Sequence, residues 1–423
     1  MAARPDDSAS SARDEVFRRF DVRTGHRPTY VVWELTLACD QPCTHCGSRA
    51  GVARPDELTT AQALGVVDQL AAMQTFEVVL IGGEAYLHPG FYELIRALRA
   101  KGIRPTMTTG GRSITPEFAA KMREAGLHSV SVSIDGLEVT HDLMRASKGS
   151  FASATAALKA FRDVGLRTAA NTNFNRLNLG DVEALYEHLR ECGISAWQVM
   201  LTTPIGRASD RPAMLLQPWD LLDVVPRVIA LKKKAWAESR IAVMAGNNLG
   251  YFHPEEPVLR SLPEHPEDAW RGCNAGKFVM GIEANGAVKG CPSLQPSYIG
   301  GSLKDSSLKQ VWDEAPELAF ARARTVDDLW GFCRTCPFAQ ECLGGCTFTA
   351  HSVLGRPGNN PYCYFRARAQ QKKGVRERLV LREAAPGQPF DNGRFEIVEE
   401  PFDAVDVKPP TPRELVKKRA PTV

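Results

Sequence analysis

Tyr30-Val-Val-Trp-Glu-Leu-Thr-Leu37 runs straight into Ala38-Cys39-Asp-Gln-Pro-Cys43-Thr-His-Cys46. The first stretch is short, apolar and rich in β-branched residues, as a buried strand is. The second places three thiols on the loop that leaves that strand. In a parallel α/β barrel such loops lie at the C-terminal ends of the strands, the face where sites are built. Working outward, Glu77–Ile81, Ile103–Thr108, Ser129–Ile134, Arg167–Thr172 and Trp197–Leu201 match the first strand in length and type.

Amphipathic helices fill the gaps. Phe91, Leu94, Ile95 and Leu98 fall at i, i+3, i+4 and i+7, and Val182, Leu185, Tyr186 and Leu189 repeat the spacing. Thr59 or Thr60 can cap one helix, and Gly102, Gly126, Gly165 and Gly193 close others. Six strand–helix units in alternation predict an α/β fold, a partial (βα)6 barrel open on one side to a large substrate.

The 423 residues allow more than one domain. Residues 1–27 are polar and Arg- and Ser-rich and predict an N-terminal arm. Residues 28–237 carry the barrel pattern. Over 238–370 Gly, Pro and Cys dominate, which predicts a small domain folded around metal. From 371 to 423 the chain is basic and Pro-rich, through Lys417, Lys418 and Arg419, and predicts a solvated, partly disordered tail. A net charge of +3 gives no reason to expect nucleic acid. With no apolar run of membrane-spanning length and no secretory pattern in Met1–Glu15, the expected place is the cytoplasm.

The cysteines number 11 and are clustered. In a reducing compartment clustered thiols are metal ligands before they are disulfides. Three thiolates on one loop can hold three irons of a four-iron cube and leave the fourth without a protein ligand. A zinc site made with His45 is the alternative for that loop. Two further polar elements end strands. Gly82-Gly83-Glu84 follows the second; its glycines permit close backbone approach and its carboxylate can accept from an ammonium. Ser131-Val-Ser133-Ile-Asp135-Gly136 closes the fourth, and Asn171 and Asn173 end the fifth.

The second cysteine set begins at Cys273, reaches Cys291 through Gly286, and continues as Cys333-x2-Cys336-x5-Cys342-x3-Cys346 to Cys363. A zinc ribbon from Cys333, Cys336, Cys342 and Cys346 is the alternative here. Cys192 belongs to neither set and reads as a buried small hydrophobe.

The C-x3-C-x2-C loop after the first strand, with Gly-Gly-Glu after the second, resembles the radical S-adenosylmethionine (SAM) superfamily. The seven later cysteines look like its C-terminal SPASM extension, and the resemblance covers about residues 28–370. It implies a SAM-binding [4Fe-4S] cluster on Cys39, Cys43 and Cys46, and reductive cleavage of SAM to a 5′-deoxyadenosyl radical. It implies SAM contacts from Gly82, Gly83 and Glu84, from Ser133 and Asp135, from Asn171 and Asn173, and from Arg207 in Pro204-Ile-Gly206-Arg207-Ala208. Where the family often has Thr-Asn-Gly after the third strand, this chain has Thr109-Gly110-Gly111, so the asparagine's contact is lost or replaced.

The resemblance also implies two auxiliary Fe–S clusters. Cys333, Cys336, Cys342 and Cys363 would close one, and Cys273, Cys291 and Cys346 would give the other three ligands. Leu-Ala-Cys39, Thr-His-Cys46 and Gly-Gly-Glu84 are similar to peptide maturases of the mycofactocin and pyrroloquinoline quinone type. The implied substrate is a ribosomally made peptide or a protein. A separate leader-binding protein and a flavodoxin- or ferredoxin-type electron donor are expected partners. A tetrapyrrole side chain or a sugar is the alternative substrate.

Overall fold

The computed structural model describes residues 25–261, 270, 272–406 and 411–412. The expected arm up to residue 24 and the end of the tail lie outside them.

Six parallel strands stand where the sequence predicts them: β1 (Tyr30–Glu34), β2 (Glu77–Ile81), β3 (Arg104–Thr109), β4 (Ser129–Ser133), β5 (Arg167–Phe174) and β6 (Ala196–Leu201). The helices between them are α1 (Thr60–Ala72), α2 (Phe91–Ala100), α3 (Pro116–Ala125), α4 (Glu138–Arg145), α5 (Ser150–Asp163) and α6 (Val182–Glu191). Thr59 caps α1, its side chain accepting from Gln62 N while the Gln62 side chain returns to the cap backbone. Gly126 takes the left-handed φ of 101° that ends α3, a conformation costly to any residue with a Cβ.

The sheet continues past both ends of this set. After α7 (Leu221–Ser239), β7 (Ala242–Ala245) adds to β6 in parallel. On the other edge β8 (Val279–Ile282) pairs in parallel with β1, followed by β9 (Ala287–Lys289) and β10 (Ile299–Ser302) in antiparallel. The order is β10-β9-β8-β1-β2-β3-β4-β5-β6-β7. The cysteine-rich region is therefore hydrogen-bonded into the barrel sheet through β8, and the sheet stays open because β7 and β10 remain its edges.

The two faces of the strands differ sharply. Val31, Trp33, Leu80, Met107, Val130, Val132, Trp197 and Val199 are buried beneath the helices, joined by the predicted stripes of α2 and α6 in one core. Each such side chain contributes about 1.5–3 kcal/mol through burial. The alternate positions on β4 to β7 are less covered. In register across the sheet stand Ser133, Asn171, Gln198 and Met244, with Asn173 and Met200 one step further along β5 and β6. Gln198 is exposed and Met244 is 46% exposed although β6 lies inside the sheet. The inner face thus has the accessible, polar character of a lumen open to solvent.

Residues 371–406 do not form the solvated tail that their composition predicts. Val375–Glu383 (β11) and Arg394–Pro401 (β12) pair as an antiparallel hairpin packed on the barrel. Its charges pair within the fold: Arg376 and Arg378 with Glu400, and Glu377 with the buried Arg366.

Candidate functional site

The loop after β1 is held by the ends of its neighbours. Gly83 N donates to Thr36 O at 2.8 Å and Glu84 N to Ala38 O at 2.9 Å. A Cβ at Gly82 would overlap Thr36 O, and one at Gly83 would overlap Ala38 O and the Cys39 side chain. These glycines serve close approach, but to the cysteine loop's own backbone. On the far side Arg207 donates from Nε to Cys43 O at 2.7 Å and from Nη2 to Ala50 O at 3.0 Å. Asp40 accepts from Tyr86 at 2.8 Å and from Ser113 at 2.7 Å.

Glu84 is buried between β2 and β3. Thr109 Oγ1 donates to Oε2 at 2.7 Å and Gly110 N to Oε1 at 2.6 Å. The Thr-Gly-Gly departure at the third strand therefore supplies polar contacts of its own. Burial pushes the Glu84 carboxyl up to about 7 against these two donors, so a cation arriving beside it would favour the ionised form.

Asp135 has a different setting from Glu84. Its side chain is fully enclosed and pairs with Arg145 Nη2 at 2.6 Å and His45 Nε2 at 3.2 Å, while accepting from Asn173 N at 3.0 Å. Asp135, expected among the SAM contacts, thus has its carboxylate engaged by residues of the chain itself. Although burial opposes ionisation, Arg145 and then His45 hold it far below the usual carboxylate range. His141 Nδ1 accepts from Asp135 N at 3.0 Å, and burial keeps this imidazole neutral, with its pKa lowered to about 3. His45 thus turns toward Asp135. Arg145, which the motif reading passed over, also donates from Nη1 to Cys43 Sγ at 3.6 Å. Ser133, Asn171 and Asn173 lie on the lumen row described above.

All eleven cysteines are free thiols. Ten gather in three groups in which ionisation of one thiol would disfavour ionisation of its neighbours. Cys39, half-buried and raised to about 12 by desolvation, feels Cys43 and Cys46. Cys291, also raised to about 12 by burial, feels Cys273 and Cys346. Cys363, raised to about 12, feels Cys333 and Cys336, and Cys342 feels all three of these. Cys342 therefore groups with Cys363, and Cys346 with Cys273 and Cys291, unlike the zinc-ribbon alternative. Among the described residues no three His, Cys, Asp or Glu side chains converge tightly enough for a single ion. Where burial raises these thiols, added positive charge favours the thiolate, and the irons of a cluster supply it. Cys192, immediately after α6, is buried in the main core.

A family model for the radical SAM superfamily matches residues 33–189, and one for an iron-sulfur cluster-binding domain, SPASM, matches 273–337. The mycofactocin maturase MftC of Mycobacterium ulcerans is 30% identical over 346 residues, 79% of this chain and 88% of that protein. The chain belongs to the radical SAM superfamily. It is an enzyme of the SPASM branch, with SAM, a [4Fe-4S] cluster and auxiliary Fe–S clusters as its cofactors. An AdoMet-dependent heme synthase of Methanosarcina barkeri is 28% identical over 349 residues, 80% of this chain and 97% of that protein. Among solved structures, SuiB of Streptococcus suis bound to S-adenosylmethionine aligns with a TM-score of 0.62 at 16% identity, over 86% of this chain and 82% of that one. This last likeness concerns the fold. Among the described residues no helix is long and apolar enough to cross a membrane.

Proposed function

We propose that this radical SAM enzyme modifies a ribosomally made peptide or a protein side chain, by oxidative decarboxylation, cross-linking or similar C–H chemistry. Cys39, Cys43 and Cys46 hold the SAM cluster in this account. Cys333, Cys336, Cys342 and Cys363 hold one auxiliary cluster, and Cys273, Cys291 and Cys346 hold the other with one iron lacking a cysteine. When bound, the SAM cluster supplies the electron that cleaves SAM to a 5′-deoxyadenosyl radical. The chain's own part is placement. Gly82, Gly83 and Arg207 fix the cysteine loop, Glu84 receives the SAM ammonium, and Ser133, Asn171 and Asn173 face the lumen beside it. Asp135 keeps Arg145 against Cys43.

The observation that carries the substrate class is the lumen row Ser133, Asn171, Gln198 and Met244. Its hydroxyl and amide groups suit the donors and acceptors of a peptide, and none of the four carries a charge to meet a propionate. The maturase relative supports this reading. A separate protein presents the peptide, and a flavodoxin- or ferredoxin-type donor supplies electrons. The second reading, a tetrapyrrole substrate, is favoured by the heme synthase relative, of which the chain covers 97%.

Co-expression with short peptides encoded beside the gene, followed by mass spectrometry, tests the proposal. A SAM-dependent mass change in one peptide is the expected result. No change in any peptide, with turnover of an iron porphyrin carrying propionates, would overturn it.

A further inference from the structure

The hairpin β11–β12 touches all three cysteine groups near their ligands. At its base Glu377 forms a bidentate pair with Arg366, 2.7 and 2.8 Å, three residues after Cys363. At its tip Phe390 N donates to Gly47 O at 3.1 Å, next to Cys46. The Phe390 ring lies under Lys289 Nζ, 3.9 Å from the centroid, two residues before Cys291. Nothing in the sequence motifs assigns this hairpin a role.

Asp391 is the centre of the tip. Its Oδ1 accepts from Arg49 Nε at 2.9 Å, and its Oδ2 accepts from Gln388 N at 2.8 Å and from Gly387 N. Its own carbonyl accepts from Gly206 N at 2.7 Å, the residue before Arg207. Arg49 also forks onto Asp210 at 2.7 and 2.8 Å and reaches Gly206 O at 3.1 Å. Arg49 and Phe390 both adopt left-handed φ, 50° and 58°, uncommon in residues with a Cβ. Both residues are anchored beside that conformation, Arg49 by Asp391 and Phe390 by its bond to Gly47 O.

We propose that Asp391 is a positioning residue for the SAM-cluster loop, and that the hairpin bearing it holds this loop in register with both auxiliary groups. Through Arg49 and Gly206 the carboxylate fixes the loop's exit and the turn from which Arg207 reaches Cys43 O. A loop released there lets the cluster's open iron move relative to Glu84, and SAM, which both must grip, binds less well. The inference rests on the assignment of Cys39, Cys43 and Cys46 to the SAM cluster.

The test is a SAM titration of the reduced full-length holoprotein, followed by electron paramagnetic resonance, in wild type, Asp391→Asn and Asp391→Ala. Loss of a charge-assisted bond predicts a SAM affinity weakened by about tenfold or more in Asp391→Ala, with auxiliary signals unchanged and a smaller effect in Asp391→Asn. Wild-type affinity in Asp391→Ala, or an equal loss of all three clusters, overturns the positioning role. Should Asp391→Ala not be recovered folded, Asp391→Asn and Phe390→Ala carry the same comparison. If the wild-type signal itself does not respond to SAM, it is the cluster assignment that fails.

Discussion

Arg145 sets one guanidinium nitrogen 3.6 Å from Cys43 Sγ and another 2.6 Å from Asp135, with both charged side chains enclosed. Removing one partner of a buried pair leaves an uncompensated charge. Arg145→Met is expected to lower stability by about 3–5 kcal/mol, and the double variant with Asp135→Asn to recover part of the loss. Urea denaturation of the cluster-free chain at neutral pH measures both. Equal stability of Arg145→Met and wild type would mean that water reaches Asp135.

Glu84 faces two demands. The proposed contact with the SAM ammonium would be worth roughly 1.5–3 kcal/mol, so Glu84→Gln should weaken SAM binding by about one to two decades with iron content unchanged. The same substitution should help the empty fold. A carboxyl raised by burial to about 7 holds its proton in the folded chain after the unfolded chain has lost it. Stability from this group is therefore present below pH 4.5 and lost as pH rises toward 7. The advantage of Glu84→Gln in the cluster-free chain should grow over that window by about 1.4 kcal/mol per pH unit, to a total of about 3 kcal/mol. Denaturation at pH 5 and pH 7.5 would reveal it, and a pH-independent difference would contradict it.

Metal content follows from the grouping of the thiols. Anaerobic reconstitution should give iron and sulfide for about three [4Fe-4S] clusters. Replacing Cys333, Cys336, Cys342 and Cys363 together by Ala should remove about a third of the iron and leave SAM binding intact. Colourless protein with stoichiometric zinc would contradict the account.

The six strands and their helical stripes were legible because each rests on a local period, whereas the allotment of the seven later cysteines came with the family resemblance and not with spacing. The seventh strand was not legible. Ala242-Val-Met-Ala245 is four residues long with one β-branched member, and only its pairing with β6 makes it a strand. The hairpin was hidden by its charges. Leu379, Leu381, Phe395 and Ile397 keep the period of two, but Arg376, Arg378 and Arg382 make the stretch look solvated until Glu396 and Glu400 stand across from them. The role of Asp135 depended on Arg145, one helix further along the chain, and on His45, on the loop after the first strand. Arg145 did leave a signal: it shares a buried helical face with Thr140, His141 and Met144, where a cation needs a reason.

The central claim is that Cys39, Cys43 and Cys46 hold the cluster at which SAM is cleaved. Replacing all three by Ala and measuring dithionite-dependent release of 5′-deoxyadenosine tests it most directly. The account predicts that release is abolished while about two thirds of the iron stays with the auxiliary groups. SAM cleavage at the wild-type rate in this variant would contradict it.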